Sequence, residues 1–258
     1  MRLSYIYHSG FALEAEGVTV IIDYYKDSSE ADSSRGIVND RLLGNAGPLY
    51  VLSTHFHPDH FNPEVLGWRD RRQARETRYI FSRDILKHRR AKLGDATYIR
   101  KGERYADDRL IVEAFGSTDV GSSFLIKLDG MNIFHAGDLN NWHWSEESTP
   151  EEIRKAEGDY LAELDYIRRH VDDPIHLAMF PVDQRMGRGY MKGAAQFVDR
   201  FRPALFAPMH FGEDYEGGNA MRGYVEGAGG RFLTIAHRGE SFELNPLESK
   251  KKSIKYIT

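Results

Sequence analysis

The stretch Ser53-Thr54-His55-Phe56-His57-Pro58-Asp59-His60-Phe61 holds three histidines and one aspartate in the pattern H-x-H-x-D-H. The apolar run 49–53 before it predicts a strand. Asn62 and Pro63 after it predict the start of a helix, with Asn62 as the N-cap. The motif is therefore expected on a strand-to-helix loop, where a rigid scaffold presents reactive side chains.

This spacing suits metal ligands. His55 and His57 are two residues apart in extended backbone, so their side chains point to the same side. Pro58 keeps His57 extended and bends the chain, which lets Asp59 and His60 turn toward a second point nearby. Nitrogen and carboxylate ligands at short, uneven spacing are typical of zinc or a similar divalent metal. A histidine-rich surface loop without function is the alternative, and the flanking strand and helix signals count against it.

Composition limits the classes of protein to consider. The chain has 258 residues, with 41% hydrophobic and 29% charged residues, as in an ordinary globular protein. A net charge of -4 argues against a general nucleic-acid binder, and the absence of cysteine excludes thiolate ligands. The N-terminus lacks the apolar core of a signal peptide, and no run is long enough to span a membrane. We therefore expect a cytoplasmic protein without nucleic-acid or membrane partners.

Apolar runs and turn signals predict an α/β (α+β) chain in a single domain, residues 1–258. Strands are predicted at 3–7, 11–15, 18–22, 49–53, 78–82, 109–115, 122–128, 131–135, 175–180, 204–207, 231–235 and 240–244. Helices are predicted near 36–43, at 63–76 and 83–93, from Thr149 as N-cap within a helical insertion at about 140–173, at 192–201 and near 219–227. The Lys-rich tail from 249 is expected to fray. Several early strands are hairpin-linked, which favours two sheets with helices outside over one parallel sheet.

Three further polar residues, Asp23, Asp138 and His210, fall where apolar strands end. An isolated aspartate after a strand is usually a turn or cap residue. The neighbouring sequence "FHAGD" and the distant histidine in "APMHFG" favour a shared set of ligands instead.

In this order, His55, His57, Asp59, His60, Asp138 and His210 resemble the metal motifs of the metallo-β-lactamase fold superfamily of hydrolases, and Asp23 resembles its early aspartate. The resemblance covers residues 3 to about 244. The opening "HSGFALEAEGVTVIID" and the order "HAGD … PMH" are similar to the branch that contains the ascorbate-6-phosphate lactonase-like proteins.

The resemblance implies a four-layer αββα sandwich of two mixed β-sheets, with two divalent metal ions at one edge. Zinc is the first choice, and manganese or iron are alternatives. It assigns His55 and His57 to the first metal and gives Asp138 the role of a bridge between the two metals. Asp59, His60 and His210 would bind the second metal, and Asp23 would orient the motif loop by hydrogen bonds.

One segment departs from the superfamily. Its members usually have another histidine where this chain reads Gly116-Ser117-Thr118-Asp119-Val120-Gly121. Either Asp119 supplies a carboxylate, or the first site is weaker, or only one metal binds tightly; Asp119 could also be a plain turn residue. His8, after the first strand, could line the pocket or only cap its own turn.

The hypothesis is a metal-dependent hydrolase in which a metal-bound hydroxide attacks a lactone, ester, amide or phosphodiester. Asp59 would be the catalytic residue that ligates and handles the proton of the nucleophile. A non-catalytic metal-binding module remains open, as does a di-iron redox protein on the same fold, which would be expected to have a carboxylate in place of His57.

The substrate is expected to be a small molecule. Trp142, His143 and Trp144 could form a pocket wall, or the tryptophans could only pack the following helix. In the next loop, Asp183, Arg185 and Arg188 could meet an anionic group, because arginine favours phosphate and carboxylate. An exposed ion-pair loop is the alternative, and a homo-oligomer stays open.

Overall fold

The computed structural model describes residues 1–15, 17–72 and 76–245, and their strands form two seven-stranded sheets. The first sheet contains β1 (Arg2–Tyr7), β2 (Gly10–Ala15), β3 (Val18–Ile22), β4 (Leu49–Ser53), β5 (Thr77–Ser82), β6 (Thr97–Ile99) and β14 (Ser241–Glu243). Its strand order is β14-β1-β2-β3-β4-β5-β6. Neighbours from β14 to β3 run antiparallel, and neighbours from β3 to β6 run parallel.

The second sheet has the same mixed character. It contains β7 (Arg104–Ala106), β8 (Leu110–Phe115), β9 (Ser123–Leu128), β10 (Met131–His135), β11 (Leu177–Pro181), β12 (Leu205–Met209) and β13 (Arg231–Phe232), in the order β13-β12-β11-β10-β9-β8-β7. Strands β7 to β10 pair antiparallel, and β10 to β13 pair parallel. At the β9–β10 hairpin, Asp129 and Gly130 have φ of 50° and 70°, as the predicted turn requires.

Helices cover the outer faces of both sheets. They are α1 (Ile37–Asp40), α2 (Trp68–Arg71), α3 (Arg83–Lys87), α4 (Pro150–His170), α5 (Lys192–Phe201), α6 (Tyr215–Asn219) and α7 (Arg222–Gly227). Among the described residues, every helix is too short or too polar to cross a bilayer.

The alternation of side chains along the strands explains the layers. In β3, Val20 and Ile22 belong to the core between the sheets, whereas Ile21 belongs to a second core with Trp68 of α2 and Ile85 of α3. Both faces of β3 are thus buried, as is usual for a strand that is covered on both sides of its sheet. On the other side, helix α5 packs Phe197 onto the second sheet. The four-layer sandwich of two mixed sheets is confirmed.

Several predicted boundaries are wrong. The segment predicted as a helix over 63–76 is a 3₁₀ turn, Pro63–Gly67, followed by α2; residues 73–75 lie outside the described part. The helix predicted over 83–93 ends at Lys87, because Arg89 has a φ of 56° that a right-handed helix does not allow.

The remaining differences are small. The helix predicted near 219–227 is divided into α6 and α7, and the short strands β6 and β7 are not predicted. Each of these two strands has three residues, too few for alternation to be recognised. The predicted capping box of Thr149 and Glu152 is present at the start of α4. The tail from 249 lies outside the described residues.

Candidate metal centre

The predicted site residues converge because the strands that carry them end at one edge of the sandwich. Asp23 follows β3, the H-x-H-x-D-H loop follows β4, Asp138 follows β10 and His210 follows β12. His8, Asp23 and His210 have φ of 57°, 49° and 65°. Residues other than glycine rarely adopt this left-handed conformation, and such strain often marks a functional site.

The first group of candidate ligands is His55, His57, Asp119 and Asp138, whose ligand atoms all lie within 4.8 Å of one another. His55 Nε2 lies 3.1 Å from His57 Nδ1 and 3.3 Å from Asp138 Oδ2. His57 Nδ1 lies 3.4 Å from Asp119 Oδ2. Asp119 thus stands where a fourth donor to the first metal would be needed.

The second group is His8, Asp59, His60 and His210, again with ligand atoms within 4.8 Å of one another. Asp59 Oδ2 lies 3.3 Å from His8 Nε2, 4.0 Å from His60 Nε2 and 3.9 Å from His210 Nε2. The His8 side chain therefore faces the three residues that the resemblance assigns to the second metal.

Asp138 connects the two groups. Its Oδ2 faces His55, while its Oδ1 lies 3.0 Å from His60 Nε2 and 3.3 Å from His210 Nε2. One carboxylate oxygen is directed at each group, which is the arrangement of a bridging ligand. The structure thus brings together all six residues predicted as ligands, and places His8 and Asp119 among them as further candidate donors.

Unpaired buried atoms provide a test of whether a cation fits. His8 Nε2, His60 Nε2 and Asp138 Oδ1 are buried, and although each lies 3.0–3.3 Å from another atom of the cluster, none makes a well-aligned hydrogen bond in the described part of the chain. Leaving such atoms unpaired costs about 1–3 kcal/mol each. A divalent cation would satisfy all three at once, and imidazole and carboxylate donors suit zinc, manganese or iron. The residues therefore fit a metal pair, although the donor set does not distinguish among these metals.

Two buried aspartates orient the imidazoles. Asp23 accepts a hydrogen bond from His60 Nδ1 at 2.7 Å and two from Thr54, through its backbone N at 2.7 Å and Oγ1 at 2.6 Å. Asp183 accepts from His210 Nδ1 at 2.9 Å. With Nδ1 protonated, each ring presents its Nε2 to the ligand groups, as metal-binding histidines do. Asp23 lies where its predicted orienting role requires.

Burial and neighbouring ionisable groups shift the pKa values of the residues in the centre. Burial alone would raise the pKa of the Asp138 carboxyl, but His60, His210 and a hydrogen bond from His55 keep its pKa well below the usual range. Burial lowers the pKa of His8 to about 4 despite its contact with Asp59. His8 is therefore neutral at pH 7, with an unprotonated nitrogen available to a metal.

Close packing holds the segment that lacks the usual histidine against the motif loop. Gly121 has a φ of 75°, and a Cβ there would lie 2.2 Å from the backbone O of Thr54. On the other side, Thr118 Oγ1 donates to Asn140 O at 2.5 Å and accepts from Asn140 N at 3.0 Å. Asp119 is consequently fixed beside His57, which favours a ligand over a plain turn residue.

Two cavities border the centre. One, of about 300 Å³, is lined by Thr118, Asp119, Asp138, Trp142, Trp144, Asp183, Arg185 and His210. The other, of about 560 Å³, is lined by Tyr7, His8, Tyr25, Pro58, Asp59, Arg185 and residues 211–214. A third depression, of about 500 Å³ beside Asp107 and His176, lies at the other ends of the strands and does not approach the ligand groups.

The tryptophans belong to the wall of the centre. Trp142 Nε1 donates to the backbone O of Asp138 at 2.7 Å, its ring lies 5.5 Å from that of His210, and Trp144 stacks on it at 6.1 Å. His143 is buried instead, and its Nε2 contacts Gly189 O at 3.1 Å. Arg185 lines both cavities, whereas Arg188 lines neither.

Two supporting residues are missed by the sequence analysis. His135 is fully buried behind the centre, where its Nε2 donates to Ser9 O and its Nδ1 accepts from Gly137 N. The sequence pattern favours a substrate contact for Asp183, whereas the structure shows it as the hydrogen-bond partner of His210. It follows the end of β11, so the strand-end argument that selected Asp138 would also have selected it.

Known proteins show the same fold. A metallo hydrolase from the archaeon Ignicoccus hospitalis has a TM-score of 0.64 at 20% identity, covering 95% of this chain and 99% of that one. CmlA, a diiron β-hydroxylase from Streptomyces venezuelae, has a TM-score of 0.63 at 15% identity, covering 94% of this chain and 54% of that one. Likeness at these identities concerns the fold alone.

Comparisons of the sequence identify a related protein and a matching family. A metal-dependent hydrolase of Symbiobacterium thermophilum is 23% identical over 219 residues, which is 82% of this chain and 84% of that protein. The family described as "Beta-lactamase superfamily domain" matches residues 2–153, more than half of the chain. The ordered ligand motifs, the two sheets and this match agree, and the chain belongs to the β-lactamase superfamily and has the metallo-β-lactamase fold.

Proposed function

We propose that the protein is a metal-dependent hydrolase that binds two divalent ions and cleaves a small-molecule substrate. The observation that carries this proposal is the position of Asp138, which shares its two carboxylate oxygens between the two groups of ligands. The relative from Symbiobacterium thermophilum bears the name of a metal-dependent hydrolase, which supports the same class of reaction.

The chain's own residues define how the site would work. Two ions bound there would act as a Lewis acid and lower the pKa of a bound water to about 7. The Asp59 side chain is 34% exposed and lines the larger cavity, so it can hold a proton of the nucleophile while it faces the substrate. Trp142 and Trp144 line the smaller cavity, where their rings would exclude water from a bound substrate.

A lactone is the substrate class that we propose to test first. The support is the similarity of the opening residues 8–23 to the ascorbate-6-phosphate lactonase-like branch, together with cavities of small-molecule size. Esters, amides and phosphodiesters use the same attack on a polarised oxygen, and belong in the same panel.

Di-iron oxidation is the second candidate. The two groups combine three carboxylates, Asp59, Asp119 and Asp138, with five imidazoles, and such a mixed nitrogen and oxygen set suits iron and manganese as well as zinc. His57 stands against it, because a carboxylate is expected there. Elemental analysis of the purified protein, together with a test for oxygen consumption, separates the two candidates.

The test combines metal content with turnover. Asp138→Ala removes the shared ligand, so we expect fewer than one tightly bound ion per chain and loss of hydrolysis across the panel. His170→Ala alters an exposed histidine at the end of α4 and should retain both properties. Full hydrolysis by metal-free Asp138→Ala protein would refute the proposal.

A further inference from the structure

The Arg185 side chain lines both of the cavities that border the metal centre. Its side chain is 65% exposed and lines the smaller cavity beside Trp142 as well as the larger cavity beside Tyr25. It lies on the 3₁₀ turn Gln184–Met186 that follows β11, with its backbone N bonded to Asp183 Oδ1 at 3.0 Å. Its position is thus fixed at both the backbone and the side chain.

Among the described residues, Asp183 contacts one edge of the Arg185 guanidinium. Nε donates to Asp183 Oδ1 at 2.9 Å, and Nη2 donates to Asp183 Oδ2 at 2.6 Å. Nη1 has no hydrogen-bond partner among the residues that the structure describes. The edge formed by Nη1 and the second N–H of Nη2 is therefore a free two-pronged donor, the geometry that binds carboxylate or phosphate.

The ion pair with Asp183 does not prevent Arg185 from binding an anion. It also accepts the Nδ1–H of His210 at 2.9 Å, so its negative charge is shared between a candidate metal ligand and Arg185. The second contact of Arg185, Nη2 to His210 Nδ1 at 3.3 Å, joins two donors and is not a hydrogen bond when Asp183 holds the Nδ1 proton. This distance shows that the Arg185 guanidinium lies beside the imidazole ring of His210, whose Nε2 belongs to the second group of ligands.

We propose that Arg185 binds a carboxylate or phosphate group of the substrate, while Asp183 positions both Arg185 and His210. The substrate is then a small molecule with an anionic group a few bonds from the bond that is cleaved. This inference rests on the proposed function, because the anionic group is useful only to a reaction at the adjacent metal pair. The aromatic rings of Trp142, Trp144 and Tyr25 would flank the rest of the molecule.

Hydroxamates with different tails test this inference on the full-length, zinc-loaded protein. Acetohydroxamate has a metal-binding head and no anionic tail. Succinic and glutaric monohydroxamates add a carboxylate, and 3-phosphonopropionohydroxamate adds a phosphonate. Calorimetric titration should show at least one anionic compound binding about tenfold tighter than acetohydroxamate, which corresponds to about 1.4 kcal/mol. The preferred tail distinguishes a carboxylate from a phosphate group.

Variants assign the effect to one residue. Arg185→Gln should lose the advantage of the anionic tail while its zinc content and its affinity for acetohydroxamate stay unchanged. Arg185→Lys should retain part of the advantage, because it keeps the charge without the two-pronged donor. Arg188→Gln is the matched control from the same loop, and should behave as the unmodified protein.

The outcomes separate this inference from the proposed function. Equal binding of all the hydroxamates, or an advantage that persists in Arg185→Gln, overturns the inference and leaves the hydrolase proposal in place. Loss of zinc or of acetohydroxamate binding in Arg185→Gln also overturns it, since the residue would then support the centre. Failure of the unmodified protein to bind zinc or acetohydroxamate overturns both.

Discussion

Asp23 and Asp183 perform the same task at the level of single residues. Each is buried and accepts the Nδ1 proton of one imidazole, which leaves the Nε2 of His60 or His210 directed at the centre. Burial would raise the pKa of Asp23, but His60 and His135 lower it, so the carboxylate stays charged. The candidate ligands are thus held in one tautomer before any metal arrives.

Replacing Asp23 tests this orienting role. In Asp23→Asn the amide cannot accept the hydrogen bonds of both Thr54 and His60 as the carboxylate does. We expect the affinity of the second metal to fall by about 10–100-fold, the usual effect of losing such a partner. A competing chelator titration measures it. The exposed Asp172→Asn is the control, and equal affinities in the two variants would contradict the orienting role.

At the level of elements, helix α4 supports the loop that carries Asp119. Glu163 of α4 is nearly buried; its Oε1 accepts from Gly116 N at 2.8 Å, and its Oε2 pairs with Lys101. A Cβ at Gly116 would lie 2.7 Å from the Glu163 carboxylate, so only glycine permits this approach. Helix α4, which lies in the insertion predicted at about 140–173, is thereby hydrogen-bonded to the loop that carries Asp119 of the first group.

Glu163→Ala should consequently affect the two metals differently. It leaves the buried N–H of Gly116 unpaired and loosens the loop, so we expect the affinity of the first metal to fall by about tenfold. The affinity of the second metal should change little. Stepwise metal titration followed by calorimetry resolves the two events, and the exposed Glu147→Ala serves as control. An equal loss at both metals would indicate general destabilisation instead.

A second element-level contact joins the sheets far from the centre. Asp107 Oδ2 accepts from Tyr50 of β4 at 2.8 Å and from Tyr105 of β7 at 2.6 Å, and it also pairs with Arg78 of β5. Burial would raise the pKa of Asp107, but the hydrogen bonds from Tyr105, Leu110 and Arg109 lower it to about 2.

The sign of this shift predicts a pH-dependent stability. Because the folded pKa is below the ordinary value of 3.8, Asp107 stabilises the protein above about pH 4, and the contribution is lost as the pH falls through about 2. Asp107→Asn should therefore lower the free energy of unfolding by about 2 kcal/mol at pH 7. Urea denaturation at pH 7 and pH 2.5 measures it. A difference that does not shrink at pH 2.5 would contradict the prediction.

At the level of the whole molecule, local signals predict most of the fold and much of the candidate centre. The sequence places Asp23, Asp138 and His210 at strand ends, and the structure brings them together because β3, β10 and β12 lie in the parallel parts of the two sheets, where carboxyl ends share an edge. The predicted helix 83–93 is longer than α3, because a left-handed Arg89 leaves no pattern in the sequence. The partners of Glu163 and the role of Asp183 depend on contacts across the sandwich, which no local pattern encodes.

The shared position of Asp138 is the claim on which the rest depends, and anomalous X-ray diffraction of metal-loaded crystals tests it most directly. We predict two anomalous peaks about 3.5–4 Å apart, one between His55 and His57 and one between His60 and His210, with an Asp138 oxygen beside each. Peaks at other positions, or no peak within reach of Asp138, would contradict it.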